Sequence, residues 1–502
     1  MKILSIEEDV AMNQPANPVA QSACQLAPLV VDLDGTLVKT DLLIESVLAL
    51  LRKQPWYLFI LPVWIMQGRA RFKQQVARHV LLDAGTLPWR VEFVDYLRRQ
   101  RAEGRSVLLA TGSDMRIARQ VADHLKLFDA VLASDGMVNL CGESKRDLLV
   151  SRFGEKGFDY AADGGGGGGR RDLAIWASAR KAILVNPNAQ VLSAAERVAN
   201  IDQVFAEPKT GLADRLNPLR PAHWLKNLLI LVPLVAAHRL YDVALLEKSL
   251  LAFVAFGCCA SSGYLFNDLI DLEADRHHPQ KRFRPIAAGD LPLSYALTAI
   301  PALLILGCFV GALVSPLLFA IVLLYFALSA AYSLRIKNIA VLDVLFLAGL
   351  YTVRIMAGSA ASGIWPSHWL LAFSIFFFFS LALVKRYGEL TIMRQVDGSG
   401  AKARAYELGD AELLAAMGIA SGYLAVLILA LYVATDKAQV LYPSRELLWV
   451  LCPLLLYWIS HVWLTAHRGK MPGDPVVFAT GDRTSQILIL LMMATAVGAV
   501  SG

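Results

Sequence analysis

Asn267 opens the most chemically loaded stretch of this chain, which runs through Asp268, Asp271, Glu273 and Asp275 to Lys281, Arg282, Arg284 and Pro285-Ile286. It follows directly on an apolar run. Four acidic side chains and a basic cluster therefore sit at a helix end of membrane character, where unpaired charge is costly and usually functional. Asp268, Asp271 and Asp275 are spaced three and four apart, which stacks them on one helical face. Three carboxylates held that close repel one another unless a cation sits between them. Mg2+ takes oxygen ligands and bridges to phosphates, and Lys281, Arg282 and Arg284 supply charge for the remaining phosphate oxygens. The pattern predicts a Mg2+–diphosphate site at a membrane face. The alternative is a solvated charged loop that only enforces topology.

Further charged groups recur at the ends of later apolar runs. Arg220, His223 and Lys226 precede the first, and Tyr332, Arg335 and Lys337 close the fourth. Asp343 and Arg354, eleven residues apart, lie on nearly the same face of the fifth. An arginine inside a span is a functional hypothesis by default, with Asp343 or a substrate phosphate as its partner. A structural ion pair is the alternative. Lys385, Arg386, Tyr387 and Glu389 follow the sixth run, and Asp474, Asp482 and Arg483 precede the last. A second set lies far upstream. It comprises Asp32 and Asp34 within Val30-Val31-Asp32-Leu33-Asp34-Gly35-Thr36-Leu37, then Thr111-Gly112-Ser113, Lys145, Asp163 and Asp172. Six glycines, Gly164 to Gly169, separate the last two aspartates; such a run holds neither helix nor strand and predicts a loop.

These groups need two kinds of scaffold. The chain is 56% hydrophobic, but the excess is concentrated beyond about residue 215, where apolar runs of roughly membrane-spanning length recur. The expected organisation is a leader over 1–28, an α/β domain over 29–210, a linker and amphipathic lead-in over 211–226, and an all-helical membrane domain over 227–502. Strands are expected at Leu29–Leu33, Ser106–Ala110, Ala130–Ala133 and Ala182–Val185, each apolar and several followed by chemistry-bearing residues. Between the first two strands lies a helical stretch including Pro55 to Met66. It is too short to span a bilayer, and it reads as a cap over the upstream site or a segment dipping into the membrane interface, where tryptophans are favoured.

Nine spans are expected, at about 227–240, 246–266, 293–313, 316–334, 341–362, 368–385, 412–434, 446–466 and 485–501, the first and last short. With the amino-terminal domain on the cytosolic side, the inside loops carry most of the loop basic residues. These are Arg276, Lys281, Arg282, Arg284, Arg335, Lys337, Arg386, Arg394, Lys402, Arg404, Arg468, Lys470 and Arg483. The outside loops offer Arg239, Lys437 and Arg445. That asymmetry predicts a multi-pass protein of the inner membrane with its charged constellation facing the cytosol. The net charge of +6 suits an anionic membrane surface and does not argue for nucleic acid. The six cysteines show no metal spacing and read as small residues in a reducing compartment.

Over residues 215–502 the chain resembles the UbiA superfamily of membrane-embedded transferases, whose signature is an NDxxDxxxD motif at the end of the second helix. It is most similar to the decaprenyl-phosphate phosphoribosyltransferase branch, through Arg220-Pro221 with His223-Trp224 and Lys226-Asn227, Asn267 to Gly289, Lys385-Arg386-Tyr387 with Glu389-Leu390, and Asp474 to Ala479 with Asp482-Arg483. Aromatic prenyltransferases of that superfamily carry a second Asp-rich motif after the sixth span; here Lys385-Arg386-Tyr387-Gly388-Glu389 stands there. The resemblance implies transfer of a 5-phosphoribosyl group from phosphoribosyl pyrophosphate to a polyprenyl phosphate. Mg2+ would sit on Asp268, Asp271 and Asp275. Lys226, Arg282 and Arg354 would hold the acceptor phosphate, and Asn267, Lys281, Arg284, Tyr332, Lys337, Asp343, Lys385, Arg386 and Glu389 would complete the substrate site.

The upstream set resembles the haloacid dehalogenase (HAD) superfamily of phosphatases. The resemblance implies Asp32 as nucleophile, Asp34 as general acid/base, Thr111 as a hydroxyl holding the phosphoryl group, Lys145 as its charge partner, and Mg2+ on Asp32, Asp163 and Asp172. The family's usual metal-binding pair is about four residues apart, whereas here the glycine run intervenes. Either aspartate reaches the metal if the glycines loop out. The implied phosphatase substrate is the 5-phosphate of the transferase product. Two other functions remain in view. One is prenyl transfer from a polyprenyl diphosphate to an aromatic or other small acceptor, and the other a membrane anchor or transporter attached to a phosphatase.

Overall fold

The computed structural model describes residues 26–165, 170–208, 211–397, 405–471 and 473–501. They form two compact units. One comprises the described residues up to Leu37 together with Trp89–Ala206; the other comprises Val38–Pro88 and the residues from Glu207 onward.

The first unit is built on a six-stranded parallel sheet. Its strands are β1 (Leu29–Val31), β2 (Val107–Asp114), β3 (Ala130–Ser134), β4 (Asp159–Ala162), β5 (Ala182–Val185) and β6 (Ile201–Phe205), in the order β3-β2-β1-β4-β5-β6. β1 is wholly buried between β2 and β4, as expected for an all-apolar central parallel strand. Helices alternate with the strands. Asp114 caps Met115–Leu125 and Asn188 caps Ala189–Val198 through side-chain oxygens. The strand order reverses at β1, and in such sheets the crevice beyond the carboxyl ends of the strands at that reversal is where chemistry collects. Asp32, Thr111 and Asp163 stand at those ends.

Two strands were not legible in the sequence. β4 begins with Asp159, a charge that hides its apolar character; the carboxylate is buried and held by Arg105 and by Arg180, at 2.8 and 2.9 Å from the latter. β6 is an edge strand whose middle residues are exposed. Gly164 and Gly165 take positive φ in the loop after β4, and the rest of the glycine run lies outside the described residues.

Among the described residues, eight helices of the second unit are long and apolar enough to cross a membrane. They are α1 (Val243–Ile270), α2 (Leu293–Val314), α3 (Pro316–Leu334), α4 (Leu342–Ser362), α5 (His368–Asp397), α6 (Ala411–Val433), α7 (Leu451–His467) and α8 (Arg483–Ser501). The span expected first, at 227–240, is replaced by a shorter apolar helix, Pro221–Ala236. Its first eleven residues are a 3-10 helix, and prolines open both of its pieces, which favours short helical segments over one long span. α1 buries the small residues Gly257, Cys258, Cys259, Ala260, Ser261, Ser262 and Gly263, so neighbouring helices approach its backbone closely.

Residues 38–88 pack within this second unit. Helices Leu42–Lys53 and Arg69–His79 enclose Leu50, Tyr57, Leu61, Val76 and Val80. Glu45 accepts two hydrogen bonds from Arg276, at 2.6 and 2.9 Å, both side chains being buried.

Candidate functional site

In the first unit, the Asp32 carboxylate lies 3.0 Å from the Lys145 Nζ. Lys145 donates to the Tyr160 hydroxyl at 3.1 Å, which donates to Asp172 at 3.0 Å. Ser113 donates to Asp34 at 2.6 Å, and Thr111 Oγ1 accepts from the Ser113 amide at 3.0 Å. The Asp163 amide donates to Thr36. Gly35 has φ +74, and a Cβ there would fall 2.2 Å from an Asp163 carboxylate oxygen, so only glycine leaves room for that aspartate. Burial, with Asp32 adding its charge, pushes the Asp163 carboxyl up to about 6. Burial and then Asp32 also raise Asp172, against the pull of Lys145. One Asp172 oxygen is buried without a hydrogen-bond partner. A buried carboxylate oxygen without a partner, under the charge of Asp32 and Asp163, calls for a cation, although the three carboxylates, all among the described residues, do not converge as a ready-made cage.

In the second unit a cavity of about 760 Å³ opens among the helices. Of the residues singled out in the sequence, Lys226, Asn267, Asp268, Asp271, Lys281, Arg284, Tyr332, Arg354, Lys385 and Glu389 line it. Asp268 is buried and salt-bridged to Arg220 at 2.5 Å and to Arg284 at 3.1 Å. Asp271 pairs with Lys337 and accepts from Asn267 at 3.1 Å. Lys226 pairs with Asp474, and Lys385 stands 4.0 Å from the same carboxylate. Burial alone would raise the Asp474 carboxyl, but Lys226 and Lys385 hold it well below the usual carboxylate range. Six cationic side chains (Arg220, Lys226, Lys281, Arg284, Arg354 and Lys385) face four carboxylates (Asp268, Asp271, Glu389 and Asp474) across this space. The cationic excess suits a polyanion.

The UbiA prenyltransferase family profile matches residues 229–479. The chain belongs to that family. It is a multi-pass membrane transferase, in keeping with its eight candidate spans. A decaprenyl-phosphate phosphoribosyltransferase of Mycobacterium tuberculosis is 31% identical over 305 residues, covering 60% of this chain and 98% of the relative. An uncharacterized protein, y4nM, of Sinorhizobium fredii is 35% identical over 476 residues, covering 94% of this chain and 91% of that protein, and so extends across both units. A UbiA homolog from Archaeoglobus fulgidus, solved with GPP and Mg2+, aligns with a TM-score of 0.43 at 17% identity, over 58% of this chain and 100% of its own.

Within this UbiA-family site, several expected residues stand off the cavity wall. Asp275 turns to Arg284 at 2.6 Å. Arg282 lies over the Phe283 ring, 4.8 Å from its centre. Lys337 does not line the cavity itself and pairs with Asp271, which does. Asp343 and Arg354 share a helix face but are not partners. Asp343 accepts from Arg386 at 2.6 Å and Tyr406 at 2.5 Å, while Arg386 also holds Glu389 at 2.7 Å and Tyr332 at 2.6 Å. Arg354 donates to Asn227 at 3.0 Å, to Tyr325 at 2.6 Å and to the Leu350 carbonyl of its own helix. Tyr264, Tyr325 and Tyr351 line the cavity without having been singled out in the sequence, as does Asp474, which was noted there among the charged groups but given no role. Tyr264 had a signal, since it precedes Asp268 by one helical turn; the other tyrosines looked like ordinary core.

Among the described residues, no three acidic, histidine or cysteine groups converge as a ready-made metal cage. Asp268 and Asp271 do face the cavity with oxygen donors. One or two carboxylates are what Mg2+ commonly takes from a protein when substrate phosphates supply other ligands, so this pair fits the ion.

Proposed function

We propose that the membrane unit transfers 5-phosphoribose from phosphoribosyl pyrophosphate to a polyprenyl phosphate, and that the amino-terminal unit is a HAD-type phosphatase acting on the lipid-linked product. The observation that carries the first part is the cationic end of the cavity. Where prenyl diphosphate-dependent relatives would place a second pair of aspartates, Lys385 joins Lys226 around Asp474. A pyrophosphate donor and a phosphate acceptor need positive charge at two places, and the cavity supplies it at Arg220 and Arg284 as well as at Lys226 and Lys385. The similarity to decaprenyl-phosphate phosphoribosyltransferases supports the same reading.

In this account Asp268 and Asp271 hold Mg2+, which when bound neutralises the charge of the leaving pyrophosphate. Arg220 and Arg284 line the cavity, pair with Asp268 and offset the charge that develops on the leaving group. An acceptor phosphate oxygen attacks the anomeric carbon of the donor sugar, the bond from that carbon to pyrophosphate breaks, and pyrophosphate departs. The acceptor is already an anion, so it needs little help from a base. Lys226, Lys385 and Arg354 hold it, with Lys385 taking the part assigned from sequence to Arg282.

The phosphatase reading rests on the Asp32, Asp34, Ser113 and Lys145 arrangement. Asp32 attacks phosphorus and the sugar oxygen leaves with a proton from Asp34, which Ser113 holds in place. Water then releases inorganic phosphate from Asp32, with Asp34 taking its proton. Asp163 and Asp172, with Asp32, would hold Mg2+ against the phosphoryl oxygens.

The test is donor choice in membranes containing the chain. Phosphoribosyl pyrophosphate with polyprenyl phosphate should yield a labelled lipid that disappears in Asp268→Asn. Consumption of a polyprenyl diphosphate with an aromatic acceptor, and no labelled lipid, would replace this reading with prenyl transfer.

A further inference from the structure

Within the second unit, the stretch from Pro55 to Met66 is a two-faced element. It consists of a 3-10 helix, Pro55–Phe59, followed by helix Leu61–Met66. Tyr57 and Leu61 point inward onto Leu50, Val76 and Val80. Trp56, Phe59, Val63 and Met66 fall three, four and three apart and are 53, 81, 54 and 87% exposed. Leu58 and Ile65 widen the same exposed apolar surface. An unbroken apolar patch of this kind, with aromatic residues in it, marks an interaction site.

Its occupant is indicated by charge and position. From Ser46 to Leu82 the chain has six basic residues (Arg52, Lys53, Arg69, Arg71, Lys73 and Arg78) and no Asp or Glu. Lys53 and Arg69 bracket the apolar stretch directly and are exposed. The segment is also fixed next to the ends of two membrane spans. Arg52 pairs with Glu273 at 3.1 Å and Glu45 with Arg276, three and six residues beyond the end of α1. Lys39 pairs with Asp290 at 3.1 Å, three residues before α2 begins.

We propose that Pro55–Met66 is seated in the interface of the bilayer that α1 and α2 cross, with Trp56, Phe59, Val63 and Met66 at the acyl boundary and the flanking arginines and lysines on anionic lipid headgroups. An amphipathic element with apolar and aromatic residues on one side and basic flanks binds anionic bilayers in this way. The contact is independent of which reaction the membrane unit performs. It makes the segment an in-plane anchor close to the cavity's Asp268 and Asp271, which end α1.

The native chain suffices for the test. Trypsin releases Gln54–Arg69 as one peptide, since Lys53 and Arg69 bound it with no basic residue between. The full-length protein is reconstituted in vesicles of phosphatidylethanolamine and phosphatidylglycerol. It is then labelled with a photoactivated carbene reagent dissolved in the acyl region or, separately, with one confined to water. Gln54–Arg69 should take lipid-phase label at the level of peptides from the spans, and several-fold less when phosphatidylcholine replaces phosphatidylglycerol. Water-phase labelling alone would overturn the proposal, since the face would then be free in solvent. Labelling from neither phase would overturn it too, because the face would then be covered by protein, whether a second copy or another part of this chain.

Discussion

Lys226, Lys385 and Asp474 compress the functional argument into three side chains. Two ammonium groups share one buried carboxylate, and a phosphate arriving in the cavity completes the charge balance. Lys385→Met should therefore reduce phosphoribosyl transfer about 100-fold, typical for removal of one positioned charge donor, while Lys226 still satisfies Asp474 and the fold survives. The check is the initial rate of lipid labelling beside a thermal melt; an unchanged rate would remove Lys385 from the substrate site. The amino-terminal site offers a second prediction through pH. Asp163 is raised to about 6 from an ordinary carboxyl near 3.8, and Asp172 is raised as well. A carboxyl raised on folding costs stability above its folded value, and protonation relieves that cost as pH falls toward its unfolded value. With metal chelated, amide protection of β1 and β4 should rise as pH falls from 8 toward 5. Added Mg2+ should increase protection most at pH 8, where the carboxylates are charged. Hydrogen exchange of the full chain measures both, and protection that falls over the same range without metal would contradict the assignment.

At the scale of elements, Gly358 sets how the lead-in helix meets α4. A Cβ there would come 2.0 Å from the Ile230 carbonyl oxygen, so the two backbones touch one turn beyond the Arg354–Asn227 hydrogen bond. Gly358→Ala should cost about 1–3 kcal/mol by overpacking and shift Asn227 off Arg354. Gly349→Ala in the same helix, where a Cβ meets nothing within 4 Å, should be neutral or slightly stabilising. Paired melts and transfer rates decide it. The sequence could not have shown this contact, because helical periodicity says which residues share a face and not which helix packs across it. For the same reason Asp343 and Arg354 looked like partners, while the structure gives them to Arg386 and Asn227. The spans from α1 onward were legible because length and apolarity alone define them. β1, β2, β3 and β5 were legible because each carries a short apolar run bounded by polar residues. β4 and β6 were not, one hidden by a buried ion pair and the other by edge exposure.

On the scale of the whole molecule, the chain joins a UbiA-family cavity proposed to take a polyanionic donor with a second set of residues proposed to cleave a phosphate ester. The aspartate pattern at the end of α1 was readable because a helix end leaves its charges in one short segment. The cavity's other wall was not, since Lys226, Arg354, Lys385 and Asp474 come from four separate places in the sequence. What makes one protein of these parts is the proposed order of reactions, in which the transferase leaves a 5-phosphate on a lipid and the phosphatase removes it. The decisive measurement uses phosphoribosyl pyrophosphate with carbon-14 in the ribose and phosphorus-32 in the 5-phosphate, incubated with polyprenyl phosphate and membranes containing the chain. Wild type should leave carbon-14 in the lipid and release phosphorus-32 as inorganic phosphate. Asp32→Asn should leave both labels in the lipid, and Asp268→Asn should leave neither. No label in lipid with the native chain would contradict the transferase, and equal retention of phosphorus-32 by wild type and Asp32→Asn would contradict the coupling.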